Sequence, residues 1–306
     1  MYYLDGLTQA EIARQVGVTR SMVSRMITEA RQQGIVHIWI ERRFMFDEEE
    51  QSRLISTFGL KNATIFKGRS ENHERYLKRL GQAAAGVLKG YLQPGMVLGT
   101  AWGSALEATI HALYCDHPVE SKVVQLVGAL GGRNHNYDSH GLVTSLVEKL
   151  GGEGYFLNVP YIADSPETVQ SLSRTQGVRE TMELMKECDL CVVGVGSTEL
   201  DYSTFYNAGY LIFEEMQNLA QVGAVGNVCG LFFDREGNPT AKEFQSRSFT
   251  ISYKDLMKIP LRIGIAGGSG KVSAILGALR GGYINHMITD DYTASEVLRK
   301  HGDRGV

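Results

Sequence analysis

Cysteine is scarce in this chain of 306 residues, which holds only Cys115, Cys188, Cys191 and Cys229. Cys188 and Cys191 form a C-x-x-C, but no second such pair and no close histidine pair completes a zinc set. Cys191 falls in the apolar run Leu190-Cys191-Val192-Val193, so it is expected to act as a small core hydrophobe. Long hydrophobic runs are missing too, and none approaches the roughly 20 residues that a membrane helix needs. The first residues, Met1-Tyr2-Tyr3-Leu4-Asp5-Gly6, have neither the basic end nor the apolar stretch of a secretory signal. The expected compartment is therefore the cytoplasm, with no membrane partner. A strong charge excess is also absent, since the formal net charge is −3. That argues against a simple polycationic nucleic-acid binder. The histidines, His135, His140 and His286 among them, show no ligand spacing, and Ser104 and Ser197 have no readable base partner. Neither a metal site, nor a nucleophile triad, nor a cofactor is expected.

The composition that is present, 43% hydrophobic and 21% charged, belongs to a globular chain. Its length favours two domains. Charge is unevenly placed. Residues 1–43 carry six arginines against four acids, net +2, leaving −5 for the rest. A small basic head on an acidic body suits a chain that touches DNA with one end only.

The head reads as two short helices. Thr8 and Glu11 have the spacing of a capping box, and Ile12, Ala13 and Val16 form an apolar stripe behind it. Gly17 stops this helix, Val18 continues the small core, and Thr19 is a fresh N-cap. A second helix is predicted from Arg20 to about Gln33, ended by Gly34. Two helices joined by a glycine turn within thirty residues make the helix-turn-helix pattern. On the second helix Val23, Ile27 and Ala30 share one face, while Arg20, Ser21, Ser24, Arg25 and Thr28 share the other. Arginine can take guanine bidentately, and hydroxyls can reach bases or phosphates. Thr8, Gln9, Thr19, Arg20, Ser21, Ser24, Arg25 and Arg31 are the candidate DNA contacts, with double-stranded DNA as the partner. An ordinary solvated helix face is the plainer reading of the same residues. Ile35–Ile40 reads as a strand leaving the head. A helix-turn-helix usually needs an earlier helix to complete its core, so either that helix is a stub formed by Met1–Leu4 or the native start lies upstream of Met1.

Asp47-Glu48-Glu49-Glu50 opens a helix with acids at its positive end, predicted to run to about Phe58 and to link head and body over residues 44–58. From residue 59 to 306 one phrase repeats: apolar strand, glycine-rich turn, helix. Met96–Gly99, Val123–Val127, Asp189–Val195, Leu261–Ala266 and Tyr283–Thr289 are the predicted strands. Such alternation implies an α/β, Rossmann-like, mostly parallel sheet whose ligands sit beyond the carboxyl ends of the strands. Bare amides of glycine turns backed by helix N-termini make an anion site there. Lys271 adds a positive charge beside one turn. A P-loop would need glycine at 265 and a hydroxyl at 272, but these are Ile265 and Val272, so an NTPase is excluded. A lysine is unfavourable at the positive end of a helix, which a bound anion would explain.

Taken together, Tyr2–Ala13, Val23-Ser24-Arg25, Ala30–Val36, Gly99–Ser104, Asp189–Gly196, Gly223–Gly226, Cys229–Phe233 and Gly264–Thr289 resemble the SorC family of sugar-sensing regulators, the sugar-binding part of the broader DeoR type. The resemblance spans nearly the whole chain. It implies a fold related to sugar-phosphate isomerases and CoA transferases, used for sensing rather than catalysis. It also implies homo-oligomers, dimers or tetramers, on operator DNA, and a small, phosphorylated sugar as effector. The implied effector residues are Gly99, Thr100, Trp102, Gly103, Ser104, Gly194, Gly196, Ser197, Asn227, Gly267, Gly268 and Lys271. The sequence departs from the family at Asn227, where the family usually has aspartate. The rival function is an isomerase-type enzyme with a fused head, for which Asp189, Glu199 and Asp201 are the nearby acid–base candidates. A weaker rival is a head that binds only protein.

Overall fold

A computed structural model describes residues 1–33, 35–36, 44–68, 72–131, 138–207 and 209–303. The chain divides into two compact units, Met1–Arg43 and Phe44–Val306.

In the smaller unit, helix α1 (Gln9–Val16) starts where Thr8 Oγ1 accepts from the amide of Glu11, while Glu11 Oε2 accepts from the amide of Thr8 at 2.8 Å. Both halves of the capping box are thus made. Gly17 ends α1 in the left-handed region at φ 72°. Thr19 caps α2 (Arg20–Gln32) by accepting from the amide of Met22. Ile12, Ala13 and Val23 are buried where the helices meet, with Leu7, Val18 and Ile27 packed around them. Gly34 and most of the predicted strand Ile35–Ile40 lie outside the described residues.

The larger unit is built on seven parallel strands: β1 (Asn62–Phe66), β2 (Val97–Thr100), β3 (Ser121–Gln125), β4 (Gly152–Tyr155), β5 (Leu190–Gly194), β9 (Leu261–Ile265) and β10 (His286–Asp290). They lie side by side in the order β1-β10-β9-β5-β2-β3-β4. Central strands of a sheet covered on both faces read as unbroken apolar runs. Accordingly Leu190, Cys191, Val192 and Val193 are all buried, as are Val123 and Val124. The four cysteines are unbridged, and burial pushes the Cys188, Cys191 and Cys229 thiols above their ordinary range. Helix α3 (Glu48–Phe58), expected as a linker, packs against β1 and the last helix Asp291–Gly302, and its Leu54 is buried. Helix α4 (His73–Lys89) lies on α5 (Ser104–Ala112). A Cβ at Gly81 would come within 2.4 Å of the Ala108 carbonyl carbon, so only glycine allows this approach.

One element has no counterpart in the repeating strand–turn–helix phrase. The turn after β5 does not open a helix but enters a three-stranded antiparallel sheet of β6 (Gly196–Ser197), β7 (Gly226–Val228) and β8 (Leu231–Phe233). Gly226 permits it to pack close, since a Cβ there would reach Ala274 Cβ of the helix Val272–Arg280 at 2.5 Å. In strand order, the connection after β2 goes to one side of the main sheet and that after β5 to the other. β2 and β5 are neighbours, so the switch point lies between them, where ligands of open α/β sheets bind.

Candidate functional site

In the smaller unit Arg20, Ser21, Ser24 and Arg25 are all exposed on α2, while Val23 faces the core. Recognition helices read DNA with their N-terminal residues, and these four fill the first two turns. Thr8 and Thr19 are used as N-caps, which leaves their side chains at helix starts where phosphates are commonly held. Gln9 opens α1 beside Thr8. Arg31 is occupied differently: its Nε donates to the Tyr3 hydroxyl at 2.6 Å, and its guanidinium lies 5.6 Å from the centre of the Tyr3 ring.

In the larger unit a cleft opens at the switch point. It is lined by Ala101, Trp102, Gly103, Ser104 and Ala105 after β2, by Gly194, Val195 and Gly196 after β5, and by Thr204, Asn227, Cys229 and Lys271. The cleft is narrow, with a cavity volume of about 30 Å³. Gly103 is the N-cap of α5 with φ 141°, a conformation that favours glycine, and no side chain caps the helix. The first amides of α5 therefore reach the cleft end of the helix with its partial positive charge. Trp102 is 8% exposed and meets Phe205 edge-on with centroids 4.6 Å apart; Phe205 in turn stacks on Tyr161. This aromatic wall fixes the indole, whose buried Nε1–H has no hydrogen-bond partner among the described residues.

Lys271 Nζ donates to the carbonyl of Val195 at 2.9 Å and, among the described residues, makes no ion pair with a carboxylate. Desolvation pushes its pKa down to about 8. Lys271 is part-buried, and a cation partly withdrawn from water without a counter-ion carries a cost that an anionic ligand would offset.

Of the residues implied by the resemblance, the structure brings Trp102, Gly103, Ser104, Gly194, Gly196, Asn227 and Lys271 to one cleft. Gly99 and Thr100 do not line it. They are inside β2, where Thr100 Oγ1 donates to the carbonyl of Val192 and a Cβ at Gly99 would strike Leu126. Ser197 is buried, and its Oγ accepts from the amide of Glu199. Gly267 and Gly268 serve the turn before Lys271. A Cβ at Gly267 would collide with the Tyr76 hydroxyl, and the amide of Gly268 donates to Thr293 Oγ1 at 2.8 Å. Asp290 accepts from Tyr76, from the amide of Thr293 and from its hydroxyl, which locks this turn in place. Thr204 and Cys229 line the cleft, although no sequence pattern points to them.

The three acids that an enzyme would need do not line the cleft. Asp189 lies at the opposite end of β5, where its Oδ2 accepts from the amide of Val97. It borders a separate hollow with Tyr91, Pro94 and Met96. Glu199 and Asp201 are exposed. Among the described residues no helix is long and apolar enough to cross a membrane.

A helix-turn-helix joined to a doubly wound domain with a polar cleft at its switch point defines a ligand-binding transcriptional regulator. The chain belongs to the SorC family of sugar-binding transcriptional regulators. Residues 42–299 match the family described as "Putative sugar-binding domain", and residues 1–33 match the model of sigma-70 region 4. It is similar to the transcriptional regulator LsrR of Escherichia coli K12, 31% identical over 300 residues, which are 97% of this chain and 92% of LsrR. It is also similar to the sorbitol operon regulator of Klebsiella pneumoniae, 29% identical over 98% of this chain and 95% of that one. The crystal structure of that full-length regulator superposes with a TM-score of 0.76, covering 97% of this chain and 96% of that chain at 29% identity. A probable sor operon regulator from Shigella flexneri superposes at 0.74, with 28% identity over 81% of this chain and 98% of that chain. These relatives are named as regulators, not as enzymes.

Proposed function

We propose that this regulator is controlled by a small phosphorylated sugar bound in the cleft at the β2–β5 switch point. The observation that carries this is the Lys271 ammonium, desolvated and without a carboxylate partner among the described residues, in a cleft that also receives the uncapped start of α5. A phosphate there would accept from Lys271 and from the helix amides, while Ser104, Thr204 and Asn227 would meet sugar hydroxyls. Gly194 leaves backbone bare for close approach. An isomerase would need an acid and a base at the ligand, and among the described residues the cleft lining contains no carboxylate and no histidine.

On the DNA side, Arg20, Ser21, Ser24 and Arg25 read the major groove. Thr8, Gln9 and Thr19 hold phosphates, and Arg31 supports the far end of α2 through Tyr3. The regulator works in the cytoplasm as a homo-oligomer, dimer or tetramer, so that two heads meet the half-sites of a pseudo-palindromic operator. Isothermal titration with paired probes, each sugar with and without its phosphate, tests the effector class. Binding of a phosphorylated probe and not of its neutral parent is expected. Binding of the neutral sugars alone would overturn the phosphate assignment.

A further inference from the structure

On α2 two large apolar side chains stand in solvent. Met22 is 43% exposed and Met26 52%. Neither belongs to the small core of Ile12, Ala13 and Val23 or to the residues packed around it. They lie one turn apart on the same flank of the helix. At about 100° per residue, Met22 stands about 60° from Arg25 and about 100° from the buried Val23, on the outward half of α2. It is also the third residue of that helix. Helical side chains lean towards the N-terminus, so its thioether is carried to the leading end of α2. An exposed methionine is ordinary on a surface, but this one occupies the end that enters DNA in a helix-turn-helix.

The charges beside Met22 decide what it meets. The first turn of α2 has no acid and opens with Arg20, whereas α3 opens with Glu48, Glu49 and Glu50. An arginine at the positive end of a helix is unfavourable unless an anion faces it. Among the described residues no acid pairs with Arg20 or Arg25. Two of the hydroxyls on this face are already engaged: Ser21 Oγ lies 3.0 Å from Thr19 Oγ1, and Thr28 Oγ1 donates to the carbonyl of Ser24 at 3.0 Å. The start of α2 therefore draws a polyanion, and an apolar side chain among its arginines needs an apolar spot on that polyanion. In the major groove of DNA that spot is the C5-methyl group of thymine. We infer that Met22 reads a thymine methyl in the major groove, beside the bases taken by Arg20 and Arg25. Its unbranched, polarisable thioether moulds to a methyl group without demanding one rotamer. Such a contact separates thymine from cytosine, whose C5 is bare, while the arginines select guanine. This inference rests on the reading of α2 as the recognition helix.

The test uses the full-length protein and DNA from upstream of its own gene, prepared either with thymine or with uracil throughout, which differ only in the C5-methyl group. Binding is read by fluorescence anisotropy. The unaltered protein is expected to bind the uracil DNA at least about fourfold more weakly, the worth of one buried methyl group. Met22→Ala is expected to lose the same factor on thymine DNA and to bind the two DNAs alike. Met22→Leu, which keeps an apolar side chain, is expected to keep most of the discrimination. Restoring a single thymine at the contacted step should recover the loss for the unaltered protein and not for Met22→Ala. Met22 is exposed and alanine is the better helix former, so the variant keeps its fold. Equal discrimination by the unaltered protein and Met22→Ala overturns the inference, and so does an unaltered protein that binds both DNAs equally; in either case the recognition-helix reading stands. If Met22→Ala and Met26→Ala weaken binding to both DNAs to the same extent, protein and not DNA covers this flank, and the inference fails. An unaltered protein that binds neither DNA removes the recognition-helix reading and the inference together.

Discussion

Replacing Lys271 by methionine is expected to make the protein more stable while removing its response to effector. With its pKa pushed from 10.5 down to about 8, keeping the ammonium charged inside the fold at pH 7 costs about 3 kcal/mol, at roughly 1.36 kcal/mol per unit. The substitution also removes the hydrogen bond from Nζ to the carbonyl of Val195, which returns about 1–2 kcal/mol of that gain. The net effect is a stabilisation of about 1–2 kcal/mol, or a rise in Tm of about 2–8 °C for a unit of this size. The pH dependence separates this cause from better packing. The folded-state pKa lies below the unfolded one, so the charged form is penalised only in the fold. That penalty is present in full below pH 8 and fades as the pH rises from 8 towards 10.5. The melting temperatures of the two proteins should therefore differ most at pH 7 and converge near pH 10. A Lys271→Met protein that melts lower at pH 7, or a difference that does not change with pH, would refute the reasoning. Such a gain in stability on losing a functional charge is the usual trade between site and fold.

The same ammonium predicts that affinity for a phosphorylated effector is flat below pH 8 and then falls by up to about tenfold per pH unit, because only the protonated lysine binds; calorimetry across pH 7–10 checks this, and a flat profile counts against Lys271. Arg20→Ala with Arg25→Ala should weaken DNA binding and flatten its salt dependence by up to about 0.9 in log–log slope for each phosphate no longer neutralised, read by fluorescence anisotropy between about 50 and 200 mM salt; an unchanged slope and affinity would show that these arginines do not touch DNA. Gly103→Ala should destabilise the larger unit by about 1–2 kcal/mol through its φ of 141° alone, since no atom stands within 4 Å of the added Cβ; denaturant unfolding that finds the variant as stable as the parent would mean the turn relaxes freely.

How much of the fold is legible in the sequence depends on burial. β2, β3, β5, β9 and β10 are readable because central parallel strands are apolar on both faces, as in Leu190–Val193. β4, at one edge of the sheet, is Gly-Glu-Gly-Tyr, whose two glycines and exposed Glu153 give no strand pattern. The strands β6–β8 are two or three residues long, too short for alternation to show. In the head, the two caps and the glycine stop at Gly17 stand directly in the sequence, because each is a local event within four residues.

The cleft is half legible for the same reason. Turn residues at strand ends, such as Trp102, Gly103 and Gly194, converge because a parallel sheet brings its carboxyl ends together. Gly267 and Gly268 carry the same glycine signature, yet their task is to admit Tyr76 and bond Thr293. A glycine signals bare backbone, and only the fold says what comes close to it. Thr204 and Cys229 reach the cleft through the small sheet and the helix Thr204–Asn207, a placement that no local pattern encodes.

The central claim, a DNA-binding head answering to a ligand in the α/β domain, is tested most directly by one titration. The full-length protein is bound to DNA from upstream of its own gene, with and without a panel of sugar phosphates. The account predicts specific binding whose affinity is shifted by at least one phosphorylated sugar, with the shift abolished in Lys271→Ala and basal binding kept. DNA binding that no compound changes, or a shift that survives in Lys271→Ala, would contradict it.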